Sequence, residues 1–334
     1  MTVEAGVLET LSDTYRAFAR IEAHGVSVIY EDLARFIAES PEILAFVASL
    51  PPERQQPNLF LAAVRDVAGV PRGGDDLVRI VRESREAIRH VMLTRTTQTN
   101  EPARCSVLLP VLSRLPQPLA LVEVGASAGL CLLPDRYGYN YGDVSLRPTT
   151  KTGSQPPVFT CRASHNTPLP TSLPTIAWRA GLDLNPLDVG SHSDMAWLKN
   201  LVWPEQVDRL SRLRLAIRVA REDPPPVRSG DLFVDLQPLF NEVPDDATLV
   251  VFHTAVLAYV SNQKLRDHFA ASMIASSAVW ISNEAPGVFP SLAAGTPEPT
   301  EVGRFLLAVN GKPMAWTAPH GQAIEWIAER DSSV

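Results

Sequence analysis

Four residues of chemical interest alternate near the middle of the chain: Glu123, Gly125, Ser127 and Gly129. The mostly apolar segment Leu119–Val124 predicts a buried strand, and the apolar residues after Gly129 predict the start of a helix. Glycine adopts backbone angles that other residues avoid, and it lets a ligand approach the main chain. The first turn of a helix offers unpaired N–H groups. The segment therefore predicts a site for a nucleotide-like ligand at the carboxyl edge of a parallel sheet.

Polar residues also end three later apolar runs: Asp183, His253, and the pair Asn283 and Glu284. A carboxylate at a strand's end can accept hydrogen bonds from both ribose hydroxyls, and a neutral imidazole can take a proton near pH 7. The Asn–Glu pair, which precedes Ala-Pro-Gly, can orient the reacting group of a substrate. Each has a structural alternative: Asp183 as a turn acid, His253 as a hydrogen-bonded core residue, and Glu284 as a solvated turn residue.

Aromatic residues supply a candidate substrate pocket. Tyr137, Tyr139 and Tyr141 alternate, as on a strand with one aromatic face. They either line a substrate pocket or cover the sheet. Tyr259 follows His253 by about one and a half helical turns, and it either lines the same cleft or packs. No set of histidines, cysteines and carboxylates has the spacing of metal ligands, so we predict no metal site.

Apolar residues at three- and four-residue spacing predict an N-terminal helical domain over residues 1–97. Ser40-Pro41 predicts the start of one helix, and Pro51-Pro52 predicts its end. A longer helix is predicted from Asp75 to Leu93. The pattern changes after Asn100, where an N-cap is predicted.

Residues 98–330 predict an α/β domain. Four short apolar runs are typical of buried parallel strands, and helical segments separate them, so we expect a doubly wound sheet; the runs are 119–124, 175–184, 247–253 and 277–283. Asn310-Gly311 predicts the tight turn of an antiparallel hairpin over 304–317. Residues 134–174 form a long irregular insertion, and connections of this length are usually functional or disordered.

The composition excludes several classes of protein. The net charge of −7 argues against nonspecific binding to nucleic acid or to an anionic membrane. The sequence shows neither a membrane span nor a secretory signal, and its three cysteines predict no disulfide framework. We therefore expect a cytoplasmic protein that acts on a small molecule without a membrane partner. The sequence leaves the oligomeric state open.

These motifs resemble those of class I S-adenosylmethionine-dependent methyltransferases over residues 100–330. The first motif of that family, an acid followed by spaced glycines, is similar to Glu123, Gly125 and Gly129, with Ser127 at the middle position. The terminal hairpin of that family's sheet is similar to 304–317. The whole chain also resembles a bacterial family catalogued as a domain of unknown function.

The resemblance implies a Rossmann-like sheet that binds S-adenosylmethionine. The glycine turn and Asp183 would bind this cofactor, and Asp231 would either receive the adenine amino group or cap the segment that follows it. In that fold the segment before the first strand passes over the glycine turn, which implies cofactor contacts from Gln98, Asn100 and Arg104. The implied reaction is methyl transfer to an oxygen or nitrogen of a small molecule. His253, Asn283 and Glu284 would then face the acceptor.

Other classes of function stay open at this point. Residues 125–129 also satisfy Gly-x-Ser-x-Gly, the nucleophile elbow of α/β-hydrolases, and Ser127, Asp231 and His253 or His320 follow in the matching chain order. An NAD-dependent oxidoreductase is opposed by the serine in the turn and by the terminal hairpin. A non-catalytic, methyltransferase-like binding module is the alternative outside enzymology, because fold class does not establish function.

Overall fold

The computed structural model describes residues 5–98, 100–149 and 155–328. The chain forms two compact units. One comprises Met1–Thr99 and His192–Ser211, and the other comprises Asn100–Ser191 and Arg212–Val334. The helical unit thus takes in a segment that the sequence prediction had assigned to the α/β domain. Within the described ranges, no helix has the length and apolar character needed to cross a membrane.

The helices begin with the N-terminal bundle and continue between the strands of the sheet. They are α1 (Ala5–Ala17), α2 (Val28–Ala38), α3 (Pro41–Ala48), α4 (Pro57–Ala68), α5 (Gly74–Glu83), α6 (Arg85–Thr94), α7 (Cys105–Leu112), α8 (His192–Asn200), α9 (Val207–Glu222), α10 (Leu236–Phe240), α11 (Gln263–Ala275) and α12 (Pro290–Ala293). A π-helix (Phe18–Ala23) follows α1, and short 3₁₀ turns occupy Pro52–Arg54, Pro102–Arg104, Leu130–Leu132, Pro134–Arg136 and Leu257–Tyr259.

Local sequence signals fix the helix ends in the first unit. The Ser40 hydroxyl accepts the N–H of Ile43 at 3.4 Å, and Pro41 occupies the first helical position of α3, as predicted. The single helix predicted from Asp75 to Leu93 is wrong, because the chain breaks at Ser84 into α5 and α6. The apolar period continues through this break, so periodicity alone did not reveal it.

The segment His192–Ser211 is held to the helical unit by specific polar contacts as well as by apolar packing. The Glu205 carboxylate accepts the Ser27 hydroxyl at 2.6 Å and the N–H of Ile29 at 2.8 Å, at the start of α2. The Trp197 indole donates to the carbonyl of Thr96 at 2.9 Å. Trp203 and Pro204 lie in the interval between α8 and α9.

Among the described residues, twelve strands belong to the second unit, nine of them in one sheet. They are β1 (Leu119–Val124), β2 (Gly138–Asn140), β3 (Ser145–Leu146), β4 (Val158–Thr160), β5 (Arg162–Ala163), β6 (Ile176–Asp183), β7 (Val227–Ser229), β8 (Thr248–Thr254), β9 (Val279–Glu284), β10 (Phe305–Val309), β11 (Lys312–Thr317) and β12 (Ala323–Trp326). The order in the large sheet is β5-β12-β11-β10-β9-β8-β1-β6-β7. The predicted α/β class is therefore confirmed as a mixed α/β unit with a large, mostly parallel central sheet.

Five consecutive positions of this sheet are parallel, from β7 through β6, β1 and β8 to β9. Numbered by their order along the chain, these strands lie as 3-2-1-4-5, so the order reverses between β1 and β8. Ligands in open α/β sheets bind outside the carboxyl ends of the strands at such a switch point. All six residues of β1 are buried, as a central parallel strand requires.

Two regions of the second unit were only partly predicted. The hairpin is confirmed: Asn310 and Gly311 take φ values of 48° and 79° between β10 and β11. The final strand β12 was not predicted, because its four residues carry no turn signal of their own. The insertion 134–174 is less irregular than predicted, since β2, β3 and β4 form a small second sheet. Part of the insertion, residues 150–154, lies outside the described residues.

The turn after β11 offers a test of backbone packing. Gly321 has a φ of 79°, and a Cβ on it would lie 2.0 Å from the carbonyl oxygen of Ala103. Gly295 has the same φ with nothing near its virtual Cβ. We expect Gly295→Ala to cost about 1 kcal/mol, from backbone strain alone. We expect Gly321→Ala to cost roughly 3 kcal/mol or more, because overpacking adds to strain. Urea unfolding of both variants measures the difference, and equal costs would contradict the packing found here.

Candidate functional site

The glycine turn joins β1 to the loop after it and is tied to the neighbouring strand β6. The N–H of Gly125 donates to the carbonyl of Leu182 at 2.7 Å, and the N–H of Ser127 donates to Asp183 Oδ2 at 2.8 Å. Gly125, Ser127 and Gly129 all have positive φ, and serine pays a steric penalty there that glycine avoids. The sequence therefore encodes a tight turn whose amides are largely engaged within the protein.

The helix predicted after the turn is wrong. The chain instead forms two single 3₁₀ turns, Leu130–Leu132 and Pro134–Arg136, before it enters β2. Pro134 has no N–H to donate, and it disfavours the helical backbone conformation in the residue before it. It therefore interrupts a helix that would start after Gly129. Because no α-helix starts after the turn, this segment lacks the unpaired N–H groups of a first helical turn. The predicted site for a nucleotide-like ligand had relied on those groups.

The two glycines of the turn make room for the protein's own side chains. A Cβ on Gly125 would lie 2.4 Å from the Val256 side chain, and a Cβ on Gly129 would lie 2.8 Å from Pro225 and Val227. We expected a ligand to approach the main chain at these two glycines. Side chains of the same unit occupy that space instead. A ligand at this edge would contact the residues around the turn.

Asn100 clamps the turn from the segment before α7. Its amide donates to the carbonyl of Ala126 at 3.1 Å and accepts the N–H of Leu130 at 2.9 Å. The N-cap predicted at Asn100 is wrong, since Glu101 caps the following 3₁₀ turn by accepting the N–H of Ala103 at 3.2 Å. The predicted passage of this segment beside the turn agrees with these contacts, although they are made to the protein backbone.

Arg104 joins this segment to two other loops of the same edge. Its guanidinium is buried, and it donates to the carbonyl of Thr254 at 2.9 Å and to the carbonyl of Pro319 at 2.8 Å. Gln98 is half-buried and belongs to the helical unit. Cofactor contacts from Arg104 and Gln98 stay predictions.

Glu123 lies inside the protein at the end of β1. Glu123 is only 2% exposed, and its Oε2 has no hydrogen-bond partner among the described residues. Burial raises the pKa of this carboxyl well above 4.5, the nearby Cys131 and Asp183 raise the pKa further, and the Arg104 charge opposes them. Burial therefore shifts this carboxyl toward its neutral form, and in that form it can donate a hydrogen bond.

Asp183 stands at the end of β6 beside the turn. Oδ2 accepts the Ser127 N–H, and Oδ1 accepts the N–H of Asn185 at 2.8 Å. Each carboxylate oxygen can accept a second hydrogen bond. The side chain is only half-buried, so Asp183 combines a structural contact with access to the edge of the sheet.

Exposed apolar residues lie on the loops that follow β6, β7 and β8. Leu184 is 66% exposed, Phe233 is 41% exposed and Tyr259 is 72% exposed. Asp231 lies in the loop after β7, where its Oδ1 accepts the N–H of Phe233 at 2.7 Å. Carboxylates and exposed apolar side chains thus both lie on loops at the carboxyl edge of the sheet, where a ligand is expected.

His253 occupies the core on the α11 side of the sheet. It is fully buried, its Nδ1 lies 2.7 Å from Glu284 Oε1, and its Nε2 accepts the Trp280 indole N–H at 3.0 Å. The indole contact places the ring proton on Nδ1, because Nε2 must be the acceptor. Both ring nitrogens are engaged within the protein, which agrees with the structural alternative for His253.

Glu284 organises the loop after β8. Besides His253, its Oε1 accepts the N–H groups of Val256 at 2.9 Å and Leu257 at 3.1 Å. Glu284 is buried, so its alternative as a solvated turn residue is wrong. Through these bonds Glu284 fixes the backbone that carries Tyr259.

Asn283 lies on the opposite face of the sheet from His253, among other polar residues. Its Oδ1 accepts the Thr317 hydroxyl at 2.7 Å, and its Nδ2 has no partner among the described residues. Strand register pairs Asn283 with Thr254, whose hydroxyl lies 3.3 Å from the Arg104 guanidinium. Sequence reasoning missed Thr254 and Thr317, because threonines in apolar strands carry no signal of their own.

The tyrosines of the insertion are packed inside it. Tyr137 and Tyr139 both lie against Phe159, with ring centroids 5.1 and 6.2 Å away. Their hydroxyls donate to the carbonyls of Leu130 and Pro134 at 2.8 and 2.7 Å. These contacts agree with the alternative that the tyrosines cover the sheet, and a substrate contact from either residue stays a prediction.

The fold and the site together define a mixed α/β protein with a polar carboxyl edge on a mostly parallel sheet. A family model for uncharacterized proteins conserved in bacteria (DUF2332) matches residues 12–326, and the chain belongs to this family. Comparison with curated proteins and with solved structures gives no match. The bacterial family predicted from the sequence is therefore confirmed, and it brings no reaction with it.

The buried acid predicts a pH-dependent stability. Because the folded state raises the pKa of Glu123, its stabilising contribution is complete below pH 4.5 and is lost as pH rises toward the folded-state pKa. Glu123→Gln keeps a neutral side chain of the same shape at every pH. We expect the unfolding free energy of wild type to fall relative to this variant above pH 4.5, by at most about 1.4 kcal/mol per pH unit.

Urea unfolding between pH 4 and 9 measures this difference. Glu325→Gln, a half-buried acid on β12, serves as the matched control. A constant gap between wild type and Glu123→Gln over the whole range would show that the acid is ionised in the folded protein.

Proposed function

We propose that this protein binds S-adenosylmethionine at the carboxyl edge of β1, β6 and β7 and transfers its methyl group to an oxygen or nitrogen of a small molecule. The observation that carries the proposal is the position of Asp183. It ends β6, the strand that pairs with β1 on the side away from the switch point, it touches the glycine turn, and its side chain is only half-buried. A carboxylate so placed suits a ribose diol.

The residues around Asp183 suit the adenosine part of such a ligand. Leu184 and Phe233 offer exposed apolar surface to a flat ring system, and the Asp231 carboxylate has an oxygen left to accept an amino group. Asp183 would hold the ribose. These two loops supply the contact types that adenosine requires.

Other predicted contacts have a positioning role in this proposal. Glu123 and Ser127 are buried, and the Asn100 side chain is hydrogen-bonded to the backbone of the turn. These residues would therefore hold the binding edge in shape without contacting the ligand. Glu284 and His253 would act in the same way on the loop after β8. In this proposal they position the loops, and none of the three predicted catalytic residues serves as a general base.

The bound cofactor would supply a methyl group on a positively charged sulfur, which is already reactive toward nucleophiles. The protein's contribution is then alignment and exclusion of water, more than proton transfer. The fixed loops after β1, β6 and β8 fit that task. Arg104 would keep the loop after β8 in place through its bond to the carbonyl of Thr254.

One observation favours a hydrolase as a second candidate. Ser127 has a φ of 52° within Gly-x-Ser-x-Gly, and nucleophile elbows hold their serine in such a strained turn. Against this, the turn is not followed by an α-helix, and the Ser127 hydroxyl has no hydrogen-bond partner among the described residues, whereas a nucleophile needs a base within reach. A fluorophosphonate probe that labels Ser127 would favour the hydrolase.

Calorimetry with S-adenosylmethionine and S-adenosylhomocysteine tests the proposal. We expect both to bind, and NAD, as the control ligand, to bind much more weakly. Leu184→Lys should weaken binding at least about tenfold, since it removes apolar contact and adds a charge that repels the sulfonium. Leu184 is exposed, so the variant should fold normally. Gly125 variants are less informative, because Val256 fills the space beside it.

Val302→Lys is the matched control, because Val302 is 99% exposed and lies in the loop before β10. Wild-type affinity in this control together with a loss in Leu184→Lys would support the proposed edge. Failure of wild type to bind either sulfur ligand would refute the cofactor assignment. Binding without any methyl transfer would favour the non-catalytic binding module.

A further inference from the structure

Three buried polar side chains share one face of the sheet at its carboxyl edge. Glu123 pairs in register with Phe252, so Thr254, two residues further on, lies on the same face, and Thr254 pairs with Asn283. Each of the three is at most 4% exposed. Arg104 brings a positive charge to this face through its bonds to Thr254.

The unsatisfied groups of this face include a hydrogen-bond donor. Asn283 Nδ2 has no acceptor among the described residues, although its Oδ1 is satisfied by Thr317. Glu123 Oε2 is likewise unpartnered, and it can donate when the acid is protonated. Buried polar groups are rarely left unpaired, so such donors indicate that a further group is accommodated here. The complementary group carries acceptor oxygens.

The histidine predicted as a base at this edge is poorly placed to remove a proton from an acceptor. Among the described residues, His253 has both ring nitrogens engaged by Glu284 and Trp280. Tyr137 and Tyr139 already donate their hydroxyl protons to backbone carbonyls. A neutral alcohol or an ammonium group would therefore be a poor acceptor here, whereas a group that is already anionic would need no base.

We propose that the methyl acceptor is a small-molecule carboxylate, held by Arg104 and Asn283 and methylated on oxygen to give a methyl ester. This inference rests on the proposed function. One carboxylate oxygen forms a bond to the methyl carbon as the carbon–sulfur bond breaks, and that bond's electron pair stays on sulfur. The carboxylate becomes a neutral ester, the sulfonium becomes a neutral thioether, and no proton is transferred.

Paired ligands test the binding part. Acetate, succinate, benzoate and phenylacetate are titrated against the full-length protein by calorimetry, each beside its amide, with and without S-adenosylhomocysteine. We expect at least one acid to bind at least tenfold more tightly than its amide. If all acids fail, or bind no better than the amides, the inference is wrong. Acid binding without any binding of S-adenosylhomocysteine would keep the carboxylate site and refute the proposed function.

Asn283→Asp tests the donor directly. The aspartate keeps an oxygen for the Thr317 hydroxyl and replaces the Nδ2 donor by a second oxygen. We expect carboxylate affinity to fall at least tenfold while amide affinity is retained or rises, a reversal that a purely structural defect would not produce. Unchanged carboxylate preference in a folded variant would overturn the assignment. If the variant does not fold, the wild-type comparison of acids and amides decides.

The product and the pH profile test the chemistry. With S-adenosylmethionine labelled in its methyl group, a methyl ester releases labelled methanol in mild base, whereas an ether or a methylamine does not. We expect base-labile product and a rate that is flat between about pH 6 and 8, because carboxylic acids are ionised well below this range. A rate that rises through about pH 6.5 would reveal a histidine base, His320 in the turn after β11 included, and base-stable product would overturn the proposal.

Discussion

The contact between the Asp183 carboxylate and the Ser127 N–H is the interaction on which the site depends. It joins the carboxyl ends of the two neighbouring strands β6 and β1, and the other carboxylate oxygen accepts the N–H of Asn185 in the next loop. Because the acid meets backbone donors on two loops, it fixes the turn and the start of the β6 loop together. The positive φ of Ser127 is held in place by this bond. In the proposed function, the same carboxylate would also contact the ribose of the cofactor.

Around this contact the edge is built in two layers with different roles. The outer layer consists of exposed residues such as Leu184 and Tyr259, which are available to a ligand. The inner layer consists of buried polar groups that hold the loops, with Glu284 under the β8 loop and Arg104 between the β8 loop and the turn at Pro319. The proposed function assigns cofactor binding to the outer layer, and the further inference assigns the acceptor to the Arg104 face of the inner one.

The fold was largely predictable because buried parallel strands produce apolar runs with few alternatives. The bounds predicted for the first strand match those found, and the Asn-Gly turn of the hairpin followed from its chemistry. Features that depend on tertiary contacts were not predictable. The 3₁₀ turns after Gly129 replace a helix that the apolar residues favoured, and the capture of Asn100 by the turn replaces a cap that its local sequence favoured. The strand β7 is three residues long and carries no distinct pattern.

Hydrogen–deuterium exchange with and without S-adenosylhomocysteine tests the central claim most directly, because it locates the bound ligand on the fold. Occupation of the proposed edge predicts protection confined to three loops: residues 125–130, 183–190 and 230–235. The helical segments and the strands β10 to β12 should exchange as they do without ligand. Protection that falls elsewhere, or none at concentrations that saturate binding, would contradict the assignment of this edge as the cofactor site.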